Sequence, residues 1–337
     1  MNDTSKFDDV GFVVIGRNEG QRLKESLQSL PAVSGGVIYA DSGSTDGSPV
    51  TAATLGARSI AVEGEPLCAA RGRNAGFAAL RISHPECKFV QFIDGDCVIL
   101  PGWIDTARTF LIEHPEAAVA CGRRMEAKPE ASFFNRVIDD EWDTPVGQTM
   151  SCGGDALVRI EAFEQIGGFR SDLIAGEEPE MCSRLRRAGW QIWRLDAPMT
   201  RHDAAIHHLS QWMRRAARSG FGYVQAWKAT AGAEDQLYGR EIRSAIAWAI
   251  VLPLTVMTAA VLTGEPLVLL AIPGLYGLQI ARIAWRKGLG SSYAWKYAAL
   301  VMTAKLGEAW GVLKYCLSRR SDQRFDYKQS QPERPTT

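Results

Sequence analysis

The spacing of apolar positions changes along the chain and divides it in two. In the first two hundred or so residues, short β-prone runs alternate with segments of helical spacing. Gly11 to Ile15, Val37 to Ala40, Arg58 to Val62 and Phe89 to Ile93 read as strands. Leu23, Leu27 and Leu30 recur at helical intervals until Pro31. A second helix continues through Val50 to Leu55 with Asp46 or Ser48 as its cap, and Cys68 to Leu80 makes a third. Ala117 to Cys121 resembles a further strand. Strands alternating with helices at this pace predict a mostly parallel, doubly wound α/β sheet.

Beyond Arg240 the periodic pattern gives way to nearly continuous apolar sequence. Ser244 to Gly264 carries no charge and is long enough to span a bilayer, where Pro253 is tolerated. Pro266 to Ala281 is a second, shorter run, with Pro273 and Gly274 in its middle, so a re-entrant segment is the alternative there. Arg240 and Arg243 flank one outer end and Arg282, Arg286 and Lys287 the other, while the connecting loop holds only Glu265. The positive-inside rule then predicts a helical hairpin with both ends in the cytoplasm. Tyr293 to Leu317 mixes Lys296, Lys305, Glu308 and Lys314 with apolar and aromatic residues, which predicts an amphipathic helix lying in the interface. The expected organisation is a tail over 1–10, an α/β domain over 11–235, a membrane hairpin and amphipathic helix over 236–318, and a polar, disordered tail over 319–337.

Composition narrows this little. Lys plus Arg and Asp plus Glu are equal at 38 each, so no basic field argues for nucleic acid. Seven cysteines, with no CxxC pair, argue against a disulfide framework and for a reducing, cytoplasmic setting. The start MNDTSKFDDVG is polar and acidic and does not read as a signal peptide. The α/β domain is therefore expected on the cytoplasmic face of the inner membrane.

The candidate chemistry lies at strand ends. There is no GxGxxG after the first strand and no GxxxxGK[ST], so neither a dinucleotide cofactor nor a P-loop is indicated. Asp94-Gly95-Asp96 closes an apolar strand where open α/β sheets bind ligands. Two carboxylates there can share a hard divalent cation, which can in turn clamp a diphosphate; Asp-Gly is equally ordinary turn chemistry. Asp41 ends another strand and can accept from a base or ribose, or close an Asx turn, while Arg73 can meet phosphate. In GEEPEMCSRLRRAGW, acidic residues crowd the first turn of a helix and arginines its last, as the helix dipole favours. Repulsion among Glu177, Glu178 and Glu180 would nevertheless raise at least one carboxyl pKa, which suits a general base.

With these segments in view, the chain resembles the family 2 glycosyltransferases, inverting enzymes with the GT-A nucleotide-diphospho-sugar fold. The resemblance runs from about Phe12 to Asp203. VVIGRNEG resembles the opening strand and nucleotide loop, implicating Arg17 and Asn18, although Gly16-Arg17-Asn18 replaces the family's Pro-x-Tyr-Asn. YADSGSTDGS is close to the pattern whose leading aspartate, here Asp41, contacts base or ribose. RGRNAG matches the diphosphate segment with Arg73 and Asn74, and Asp94-Gly95-Asp96 the metal-binding DxD motif, with Asp96 the direct ligand. GGDALVRIEAFEQIGGF resembles the acceptor segment. GEEPE matches the Gly-Glu-Asp segment that supplies the base; Glu178 falls on that position with Glu for Asp, and Glu177 is its rival. His202 lies where related enzymes place a histidine near the metal. Gln211-Trp212-Met213-Arg214-Arg215 is similar to the QxxRW motif of processive synthases, but Arg215 in the Trp position argues against a processive polymerase.

The resemblance implies metal-dependent transfer, with Mn2+ or Mg2+, from a nucleotide-diphospho-sugar donor to an acceptor hydroxyl. Placement beside a membrane suggests a lipid or lipid-linked glycan acceptor in polysaccharide biosynthesis. The alternatives are a nucleotidyltransferase of the same fold and a non-catalytic scaffold in a polysaccharide assembly complex.

Overall fold

The computed structural model describes residues 7–31 and 36–318. The polar tail expected over 319–337 lies outside the described residues. The chain divides into two compact units, one ending at Ala205 and the other beginning at Ile206.

The first unit is a nine-stranded mixed sheet clothed by helices. Its elements are β1 (Val10–Gly16), α1 (Gln21–Gln28), β2 (Val37–Asp41), α2 (Ser48–Thr54), β3 (Arg58–Ala61), α3 (Ala69–Ser83), β4 (Phe89–Asp94) and β5 (Cys97–Ile99). Then come α4 (Trp103–Glu113), β6 (Ala117–Glu126), α5 (Phe133–Trp142), β7 (Gly147–Gln148), β8 (Ala156–Arg159), α6 (Ile160–Gln165), α7 (Glu177–Arg187) and β9 (Gln191–His202). The strand order is β3-β2-β1-β4-β8-β6-β9-β5, with β7 against β9. β1 to β4 pair in parallel, β8 runs antiparallel between β4 and β6, and β9 lies parallel to β6. In β1 and β4 successive side chains are buried, as the unbroken apolar runs of strands covered on both faces require.

This topology gathers the chemistry at one edge. β2, β4, β6 and β9 all end on the side where β8 begins, so Asp41, Asp94, Arg124 and His202 converge there with Asp155, the residue before β8. The strand Gln191–His202 was not expected from sequence. Its pairing with β6 is broken by register shifts around Cys121, Arg123 and Arg124, and bulges of this kind re-aim side chains beside functional sites.

The second unit is helical: α8 (Leu209–Ala229), α9 (Gly239–Ile246), α10 (Leu252–Thr263), α11 (Ala271–Lys287) and α12 (Ser292–Leu317). The Gln211 side-chain oxygen accepts the backbone N–H groups of His207 (2.8 Å) and His208 (2.9 Å), so it caps α8. α9 passes into α10 through a wide π turn, Ala247–Val251, just before Pro253, which has no N–H to extend an ordinary helix. Two segments, Gly239–Thr263 and Pro266–Lys287, are long and apolar enough to cross a membrane. They run as a hairpin, with the Tyr276 hydroxyl donating to the Trp248 carbonyl at 2.6 Å. Val261 and Leu262 are each 81% exposed, an arrangement suited to lipid rather than water. α12 is helical as expected, and small residues seat it along α8. A side chain at Gly311 would strike the Ala217 carbonyl, and one at Gly220 the Glu308 backbone.

Candidate functional site

The loops after β1 and β2 are tied together first. Asn18 adopts a positive φ of 55°, which asparagine tolerates better than most residues. Its N–H donates to Ser44 Oγ at 2.8 Å, and its side-chain oxygen accepts from Thr45 N at 2.7 Å. Asp41 Oδ2 accepts from Gly43 N and Ser44 N at 3.0 and 2.8 Å, and Tyr39 donates its hydroxyl to Oδ1 at 3.0 Å. Asp41 therefore closes an Asx turn. Asp46, rather than Ser48, takes the first N–H of α2, at 3.0 Å. A cavity of about 40 Å³ lies beneath these loops, lined by Arg17, Ser42 and Cys68 together with Asp94 and Asp96. The Arg17 Nε–H is buried and has no hydrogen-bond partner among the described residues.

At the centre, Arg73 is 1% exposed and spans three carboxylates. It donates to Asp94 Oδ1 at 2.8 Å and to Glu177 Oε1 at 2.9 Å, and stands 3.8 Å from Glu178 Oε1. Arg73, which the sequence reading assigned to the diphosphate, lies among these three acids. Asn74 faces elsewhere: its amide brackets Phe169, donating to O at 2.7 Å and accepting from N at 3.0 Å, and so pins the Gly168 loop.

Asp94 is held from both sides, by Arg73 on Oδ1 and by Arg124 Nη2 on Oδ2 at 3.0 Å. Burial alone would raise its pKa, but the two guanidinium groups outweigh burial and hold it below the usual carboxylate range. Glu178 goes the other way. Burial, then repulsion from Glu177, push its carboxyl up to about 7 against the pull of Arg73. Crowded glutamates do raise one pKa, as the sequence suggested, with desolvation as the larger cause. Glu180 is taken up by a bidentate pair with Arg184, 2.7 Å at its shortest. Room at this centre comes from Gly154: a methyl there would lie 2.9 Å from Arg73 Nη2, 3.0 Å from Asp94 Oδ2 and 3.3 Å from Glu178 Oε1.

Asp96 and His202 form the adjoining half, with Oδ2 and Nε2 3.5 Å apart. Asp96, His202 and Cys97 have donor atoms within 4.8 Å of one another, a spacing that suits a single cation. A hard carboxylate beside the Nε2 of an imidazole is a donor pair that could hold a divalent cation. Burial pushes the Cys97 thiol up, and a soft sulfur ligand matches a hard cation less well than the carboxylate does. Both Asp94 oxygens accept from arginine, while Asp96 Oδ2 faces His202 and stands 3.9 Å from Arg22 Nη1.

Gly154 and Asp155 open the segment that resembles the acceptor side but were given no role of their own, and Arg124 was not singled out from sequence.

Residues 12–170 match the family model described as Glycosyl transferase family 2. Cellulose synthase 1 of Komagataeibacter xylinus is 25% identical over 187 residues, covering 49% of this chain and 11% of that protein. The pre-mycofactocin glycosyltransferase of Mycobacterium tuberculosis is 28% identical over 227 residues, covering 63% of this chain and 46% of that protein. The chain thus spans less than half the length of either relative. Among solved structures, the mannosyltransferase PcManGT of Pyrobaculum calidifontis, in complex with GDP-Man and Mn2+, superposes with a TM-score of 0.58 at 18% identity, covering 94% of this chain and 89% of that one. The α/β unit has the expected GT-A fold.

Proposed function

We propose that this chain, which belongs to glycosyl transferase family 2, moves a sugar from a nucleotide-diphospho-sugar to an acceptor hydroxyl with inversion at the anomeric carbon. The observation that carries this reading is the Glu178 carboxyl, raised to about 7 and facing the space left by Gly154 beside Asp94. A base poised near the working pH is what deprotonation of a hydroxyl in the transition state requires. Glu177 is committed to Arg73 at 2.9 Å, which favours Glu178 as the base. As Glu178 removes the proton, the acceptor oxygen attacks the anomeric carbon; a single displacement without a covalent intermediate inverts that centre.

Asp96 and His202 would hold a divalent cation, which when bound supplies positive charge to the diphosphate leaving group. Arg17 lines the cavity shared by Asp94 and Asp96, which makes it the arginine we assign to phosphate. Asn18 and Asp41 shape the adjoining nucleotide loops through the hydrogen bonds described above. Arg73 acts by setting Asp94 and Glu178, and Asn74 by fixing the loop that carries Phe169.

The apolar hairpin supports attachment to the inner membrane, with Arg240, Arg243, Arg282, Arg286 and Lys287 on the cytoplasmic side. A membrane lipid or lipid-linked glycan is then the acceptor class this placement favours. The test is sugar-nucleotide hydrolysis by the detergent-solubilised protein with Mn2+ or Mg2+, over a panel of UDP-, GDP- and dTDP-sugars. Release of nucleoside diphosphate, lost in Asp96→Ala, is the expected result. Release of inorganic diphosphate would indicate nucleotidyl transfer, and absence of both turnover and binding would end the donor reading.

A further inference from the structure

We propose that Arg124 and Asp155 form a clamp that holds the Asp94-Gly95-Asp96 loop in its donor-binding shape, acting on Asp94 from the side opposite Arg73. This rests on the donor reading above and adds two positioning residues to it.

The clamp is a closed ring of bonds among three elements. Asp155 Oδ1 accepts the backbone N–H of Asp94 at 3.0 Å, so it holds the main chain where β4 ends. Its Oδ2 accepts from Arg124 Nη2 at 2.8 Å, from Arg124 Nε at 3.1 Å and from the Thr200 hydroxyl at 2.8 Å. Arg124 Nη2 closes the ring on Asp94 Oδ2 at 3.0 Å. The loop is thus gripped by its backbone and by its side chain at once. The topology makes this possible. An antiparallel β8 inserted beside β4 starts where β4 stops, and the register shifts of β6 turn Arg124 towards the same point.

Burial of Asp155, and bonds from Arg124 that run to Asp155 and Asp94, argue that the pair positions rather than reacts. The Asp155 side chain has no exposed surface, and its four accepted hydrogen bonds all come from protein. Arg124 also reaches the second aspartate of the loop indirectly. Trp142 lies over its guanidinium at 5.3 Å and meets the His202 ring edge-on at 5.2 Å, and His202 faces Asp96. If the clamp is opened, Asp94 keeps only Arg73, which it shares with Glu177, and both aspartates lining the cavity lose their reference.

The ring could instead serve fold stability alone, and a double-mutant cycle separates the two roles. Full-length protein in detergent with Mn2+ would be titrated by calorimetry with the sugar nucleotide found by the panel above. Wild type would be compared with Asp155→Asn, Arg124→Gln, the double variant and Arg124→Lys, with melting temperature as a control. Each single variant is expected to weaken donor affinity by about tenfold, as loss of an outer-shell partner commonly does. The double variant should be no more than roughly threefold worse than the poorer single, since the two act as one unit. Arg124→Lys should fall between, keeping the charge but losing the fork. The loss should appear more strongly in the KM for donor than in hydrolysis at saturating donor, because the clamp bonds Asp94 directly and reaches Glu178 only through Arg73. Folded variants that bind donor like wild type overturn the clamp alone, as do losses that multiply or variants that all fail to fold. Absence of donor binding by wild type overturns the donor reading, and the clamp with it.

Discussion

Gly154→Ala is the most direct probe of the site. The added methyl would stand 2.9 Å from Arg73 Nη2, 3.0 Å from Asp94 Oδ2 and 3.3 Å from Glu178 Oε1, where ordinary contact needs more than 3.4 Å. The ends of side chains can usually yield a few tenths of an ångström. Here Arg73 and Asp94 are bonded to each other at 2.8 Å, and Arg73 to Glu177 at 2.9 Å, so one cannot give without moving the others. Overpacking of this kind costs about 1–3 kcal/mol, while replacing glycine returns about 0.4–1 kcal/mol by restricting the unfolded chain. The net loss of stability is therefore roughly 0–2.5 kcal/mol, up to about 10 °C in melting temperature. Turnover should suffer far more, because misplacing catalytic groups by a fraction of an ångström to one ångström costs up to about a hundredfold. Gly153→Ala is the matched control: its φ of +79° makes alanine strained, but nothing lies within 4 Å of the new methyl. It should lose stability while keeping its rate at saturating donor. Measuring kcat/KM for donor hydrolysis and melting temperature on both variants decides the matter. A Gly154→Ala protein that is folded and as fast as wild type would refute the placement of Glu178 and Asp94 around the reacting centre.

The remaining predictions concern charge, metal and membrane. Turnover should rise as pH passes through about 7, because the base must lose its proton, and Glu178→Gln should lower it by about 10²–10⁴-fold. Stability has the opposite sign. The Glu178 carboxyl ordinarily titrates near 4.5 and is raised to about 7, so folding forfeits up to about 3 kcal/mol between those values and nothing more above them. Glu178→Gln should accordingly melt higher than wild type at pH 8, and an equal or lower melting point counts against the raised pKa. His202→Ala should weaken Mn2+ binding by at least about tenfold in a spin-resonance titration, and chelation should abolish turnover reversibly. An unchanged affinity would remove His202 from the cation site. In the helical unit, Gly311→Ala drives a methyl into the Ala217 carbonyl, so limited proteolysis should cut around α12 faster than in wild type.

The sequence by itself determined the alternation of β1 to β4 with their helices, because buried strands and amphipathic helices each impose a period that survives without knowledge of partners. It also placed Asp41, Asp94, Asp96 and the glutamates of α7, since strand ends and helix first turns are local features. It marked the apolar hairpin by length and lack of charge. Tertiary structure decided what each of those side chains touches. Arg73 bonds Asp94 and Glu177, and Asn74 bonds the backbone of Phe169, neither of which a local motif shows. β9 was not legible because its register shifts against β6 break the alternation that would reveal a strand. The pairing of Arg124 with Asp155 was not legible for the same reason in another form. Their role depends on β8 running antiparallel beside β4, and strand order is a long-range choice that no local pattern of residues encodes.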